Sequence, residues 1–91
     1  MMSPAAIELA RCGITGQSLA DELGLTRAAV SYQLCGKAAK TSPALINAIA
    51  ARGGEELART VKMLIDFERN MRHVGRIARE VQRRTQALGE E

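Results

Sequence analysis

The side chains able to do acid–base, nucleophilic or metal chemistry are few and scattered in this chain. The one histidine, His73, has nothing paired with it that would suggest catalysis, and it reads as a surface residue. Cys12 and Cys35 are too few for a disulfide framework and are not spaced as zinc ligands. They read as buried thiols packing as small hydrophobes, with a redox pair as the alternative. There is no carboxylate pair near a histidine, no nucleophile elbow and no glycine-rich phosphate loop. The expectation is therefore a non-enzyme with no metal, no cofactor and no evident small-molecule ligand. The chemistry that remains is hydrogen bonding and charge, concentrated between Thr15 and Lys40 and again between Arg69 and Arg84.

The elements that hold these groups are legible from caps and breakers. Ser3-Pro4 starts a first helix over about 4–12, because serine caps free N–H groups and proline at the first position needs no hydrogen bond. Gly13 ends it. Thr15 caps a second helix with Leu19, Ala20 and Leu23 on one face, and Gly24 stops it. Thr26 caps a third, from Arg27 to about Cys35, with Gly36 as its stop. Ser42-Pro43 starts a fourth helix, whose core face is Leu45, Ile46 and Ile49, and Gly53-Gly54 closes it as a candidate hinge. Glu55 and Glu56 then open a fifth helix, where acids suit the helix dipole, and no proline interrupts it up to about Leu88.

The second and third helices meet across only Gly24-Leu25-Thr26, which forces them to cross steeply. Ala20 permits close approach, Gly24 supplies a positive φ, and Leu19, Leu23, Leu25 and Val30 form the wedge between them. The segment TGQSLADELGLTRAAVSYQLCG thus reads as a helix-turn-helix. Through LADELGLTRAAVS, the Gly36-Lys37 loop and the helix start at Ser42-Pro43, roughly Ile7 to Ala51, the chain resembles the Cro/lambda-repressor-like (Xre-type) family.

The resemblance implies that the second motif helix enters the DNA major groove by its N-terminal end. It makes Arg27, Ala28, Ser31 and Tyr32 the base-facing positions. Thr15, Gln17, Thr26 and Lys37 become candidates for the phosphate backbone, and Lys40, in the same small basic loop, is a further candidate. The chemistry agrees: arginine can chelate guanine O6 and N7, alanine can touch a thymine methyl, and the helix starts offer free N–H groups to phosphates. Alternatives stand beside each role. Arg27 can face phosphate or solvent, Tyr32 can pack on the head, and the lysines can be plain solvated surface. The chain departs from the family pattern twice. Gly16 stands where the family has a phosphate-holding glutamine, with Gln17 one residue later. Gln33 stands where an apolar residue is usual, so either Leu34 takes over that packing, which would make the end of the third helix irregular, or Gln33 is freed for contact with the DNA backbone.

The fifth helix would be on the order of 50 Å long at 1.5 Å per residue, too long for four short helices to cover. Leu64, Phe67, Met71, Val74, Ala78, Val81, Thr85 and Leu88 alternate steps of three and four, as a heptad seam does. Leu57 and Thr60 extend it backwards, and Ile65 and Ile77 lie outside it. The expectation is a homodimer through Leu64, Phe67, Met71, Val74, Ala78, Val81 and Leu88, antiparallel or bundle-like. The alternative is a break near Gly75 with the helix folding back on its own head. Arg69, Arg72, Arg76, Arg79 and Arg83 also step by three and four, as a stripe away from the seam. It is either a solvated face or a second contact with a polyanion.

The formal net charge of +3 is modest, and only Tyr32 and Phe67 are aromatic, so the core must be aliphatic. No stretch has the apolar length of a membrane helix and the N-terminus does not read as a secretory signal, which makes the cytoplasm the expected location. The sequence thus predicts an all-α chain: a helix-turn-helix head over residues 1–53 and a long oligomerisation helix over 54–91. The expected function is a transcriptional regulator, a repressor binding an inverted repeat of double-stranded DNA as a homodimer. The alternatives are a phage-type DNA-packaging subunit and a protein-interaction module.

Overall fold

The computed structural model describes residues 2–89, with side chains described to residue 87. Five helices follow in order: α1 Pro4–Arg11, α2 Gly16–Leu23, α3 Arg27–Leu34, α4 Pro43–Gly53 and α5 Glu55–Gly89. No strand occurs among the described residues. Local chemistry sets the starts. The hydroxyls of Ser3, Thr15 and Thr26 each accept from the N–H three residues on, at 3.3, 3.1 and 3.1 Å. Ser42 does not cap in this way. Its own N–H instead donates to Gln33 Oε1 at 2.9 Å, which ties the end of α3 to the start of α4.

Two ends depend on glycine. Gly24 is left-handed (φ 67°, ψ 30°), and Leu25 N–H folds back to Ala20 O at 2.9 Å. Gly36 has φ +76°, and Lys37 N–H reaches Tyr32 O at 3.2 Å. At Gly36 there is a second demand. A Cβ there would stand 2.7 Å from the backbone N of Arg69 and 3.1 Å from Glu68, so the α3 terminus lies directly against α5.

The core joins all five helices. Leu9, Leu19, Val30, Leu45, Ile49, Val61 and Ile65 are completely or almost completely buried, with Ala5, Ala20 and Ala58 between them. Ala58, Val61 and Ile65 belong to α5. The head therefore does not end at residue 53: its core needs the first three turns of α5, where Val61 and Ile65 alone contribute roughly 1.5–3 kcal/mol each. Gly53-Gly54 is accordingly a corner and not a hinge, because α5 turns there (Gly54 φ +96°) and lies across α4 and α1. Arg52 of α4 reaches α2, with Nε 3.4 Å from Glu22 Oε2 and Nη2 donating to Ser18 O at 3.3 Å.

Several smaller expectations change. Leu25 is 42% exposed and is not part of the wedge. In α1 the core residues are Ala5 and Leu9, and Ile7 is exposed. Cys12 is exposed and Cys35 half-buried; they sit at the C-terminal caps of α1 and α3 and do not pack as core residues. Helix α5 is unbroken through Gly75, so it does not fold back. The molecule measures 58 × 25 × 23 Å, with α5 projecting beyond the head. No described helix is long and apolar enough to cross a membrane.

Candidate nucleic-acid interface

Helix α3 presents two opposite faces. Val30 and Leu34 point into the core, on the side where α3 packs against α2 and α1. Arg27, Ala28, Ser31 and Tyr32 are all exposed, and their three- and four-residue offsets put them on the outer side. The structure thus places the four sequence-predicted base-facing residues together on one open surface. Arg27, Lys37 and Lys40 have no ion-pair partner among the described residues.

The candidate backbone residues divide. Thr15 and Thr26 are exposed, but their oxygens are engaged as N-caps, so each keeps only its hydroxyl proton and remaining lone pair for another contact. Gln17 donates Nε2 to Asp21 Oδ1 at 2.9 Å along the outside of α2. At position 33 the first of the two courses holds in its packing. Leu34 does fill the core, at 3% exposure, yet the end of α3 stays helical. Gln33 is half-buried and its amide oxygen accepts from the Ser42 N–H, so it braces α3 against the start of α4. Lys40 lines an apolar groove with Ala28, Ala29 and Tyr32, between α3 and the loop that follows it. Lys37 lies on the other side of Tyr32, in a cleft against α5.

The arginine stripe is not one feature. Arg69 is committed to the head: Nε donates to Ala38 O (3.0 Å) and Nη2 to Thr41 Oγ1 (2.7 Å), while Nη1 donates to Asp66 Oδ1 (2.7 Å) one turn back on α5. Arg72 Nε donates to Cys35 O at 3.0 Å, satisfying a carbonyl at the end of α3. Together with Gly36 packed on Glu68 and Arg69, these bonds form a joint that fixes the third helix relative to α5. Sequence reasoning missed it, because the partners are backbone carbonyls and a hydroxyl distant in sequence. The left-handed glycine at 36 was the only readable part. Arg83 pairs with Glu80 at 3.1 Å, and Arg84 with the same carboxylate at 3.4 Å. Arg76 and Arg79 are exposed and make no ion pair or side-chain hydrogen bond among the described residues.

The other side of α5 is apolar and open. Met63, Phe67, Met71, Val74, Ile77 and Val81 recur at steps of three and four, and each is at least 51% exposed. Ile77 belongs to this face, although the strict heptad excludes it. Leu64 is the exception among the predicted dimer residues, since it packs half-buried on the head core. Ala78 is exposed with the others, and the side chain of Leu88 lies outside the described residues. Because Ala58, Val61 and Ile65 occupy the opposite face, the apolar stripe and the head lie on different sides of α5. No group of three or more metal-ligating side chains occurs among the described residues. Compared with known proteins, the chain matches no family model, no curated protein and no solved structure.

Proposed function

We propose that this chain is a sequence-specific DNA-binding protein that inserts α3 into the major groove and acts, as a homodimer through α5, as a transcriptional regulator. The observation that carries the reading is the outer face of α3. A cation with no ion pair, a methyl group, a hydroxyl and a phenol stand exposed on a helix whose other face is locked into the core. Such a helix has the diameter of the major groove and donors suited to base edges. The locked inner face matters because a reading helix must hold its register while its contacts form. One helix of eight residues offers few base contacts, and the exposed apolar side of α5 supports a second copy that doubles them. Two heads so joined would meet half-sites about 34 Å apart or a multiple of that, and covering a promoter in this way is repression.

The experiment is selection of bound sequences from random double-stranded DNA by the full chain, followed by titration of base-substituted sites. The expected product is an inverted repeat. Replacing Arg27 by Ala should cost about 1–3 kcal/mol at one guanine position and relax preference there. Equal weakening on every sequence removes the base-reading role of Arg27. No enrichment and no binding at low salt removes the DNA-binding reading altogether and leaves α5 as a protein-interaction helix.

A further inference from the structure

We infer that Arg76 and Arg79 of α5, with Lys37, form a clamp for the sugar–phosphate backbone of the same duplex whose major groove α3 enters; this rests on the DNA-binding reading above. The face of α5 that packs on the head runs through Ala58, Val61 and Ile65, then through Arg69 and Arg72 in the joint with α3. Steps of four and three carry the same face on to Arg76 and Arg79. Where the head ends, the face changes from apolar to basic without changing direction. Arg69 and Arg72 are consumed by bonds to the head, whereas Arg76, Arg79 and Lys37 pair with nothing described.

These three line one open cleft between α5 and the end of α3, and Tyr32 lines it too. Tyr32 is also one of the four residues on the outer face of α3, so the cleft opens directly off the proposed reading surface. A major groove is about 12 Å wide, and an eight-residue helix is about 12 Å long. A helix seated in a groove of that width stands between two phosphate ridges, so cations carried on an element beside it face one of them. At the C-terminal end of α3 the flanking groups are these cations, and their charge complements the ridge. Guanidinium groups also suit phosphate by geometry, since they donate in a planar fork.

The test is fluorescence-anisotropy titration of a random-sequence 30-base-pair duplex with the full chain over a series of salt concentrations, comparing wild type, Arg76→Gln/Arg79→Gln and the charge-matched control Arg59→Gln/Lys62→Gln. Losing two phosphate contacts should lower the slope of log affinity against log salt by about 1.8 per bound chain, a loss about twelvefold smaller than that of wild type over a fourfold rise in salt. The control slope should not move. Base preference in the selection experiment should survive in the cleft variant, because phosphates carry no sequence. Neither arginine holds the fold together, so circular dichroism should match wild type. An unchanged slope in the cleft variant, or an equal fall in both variants, overturns the clamp while leaving the reading of α3 standing. If the wild-type chain binds no duplex even at low salt, the clamp and the DNA-binding reading fall together.

Discussion

Replacing Gly36 by Ala tests the joint that sets α3 against α5. Two costs add at this position. The residue is left-handed at φ +76°, a conformation that disfavours an L side chain by about 1–2 kcal/mol. The new methyl would also meet the Arg69 backbone N at 2.7 Å and Glu68 at 3.1 Å. Backbone in the middle of a packed helix cannot swing aside, so the α3 terminus must move off α5 or α5 off the core. Such overpacking costs about 1–3 kcal/mol more. Gly24 supplies the internal control, being left-handed at φ +67° with nothing within 4 Å of an added Cβ. Gly24→Ala should therefore show only the conformational cost. Urea unfolding followed by far-UV circular dichroism, at one fixed protein concentration, should put Gly36→Ala below Gly24→Ala by about 1–3 kcal/mol. Fixed concentration matters, because association would make the midpoint depend on it. Equal losses in the two variants would mean that α3 is not seated on α5, and the joint would have to be abandoned. The consequence reaches the interface, since Arg69 and Arg72 make their bonds to the same loop and helix end.

Further outcomes follow from the same geometry. Arg69→Met should lower stability by about 2 kcal/mol, because charge-assisted bonds to Ala38 O and Thr41 Oγ1 are lost from a half-buried site. Arg69→Lys should recover less than half of that, since one ammonium cannot span both acceptors and Asp66, and an intact urea midpoint in Arg69→Met would count against the brace. Phe67→Asp/Val74→Asp places charges on the exposed apolar side of α5 and should convert a dimer to a folded monomer in sedimentation velocity. A variant that still dimerises, or a wild type already monomeric at high concentration, rules out association through this face. Loss of one guanine preference in Arg27→Ala and the lower salt slope of Arg76→Gln/Arg79→Gln complete the set.

Local structure is legible in the chain before it folds. Caps and left-handed glycines act within one turn, so Ser3, Thr15 and Thr26, and Gly24 and Gly36, mark helix ends whatever the rest of the chain does. The same signals expose the four residues on the outer side of α3, because a helix with Val30 and Leu34 inside must have Arg27, Ala28, Ser31 and Tyr32 outside. Whatever depends on the path of the chain is set by packing between distant segments. Periodicity alone shows that α5 has apolar positions but not which of them a short head can cover. The corner at Gly54 lays α5 across α4 and α1, so Ile65 goes inside and Phe67 and Ile77 stay out. The same corner brings Arg69 and Arg72 to the loop and helix end that they brace, while the loop between α3 and α4 returns Ser42 to Gln33. A stripe of five evenly spaced arginines looks uniform in one dimension. Folding splits it, because only its first two members stand opposite unsatisfied oxygens of the head, and Arg76 and Arg79 run on past it into the cleft beside Tyr32.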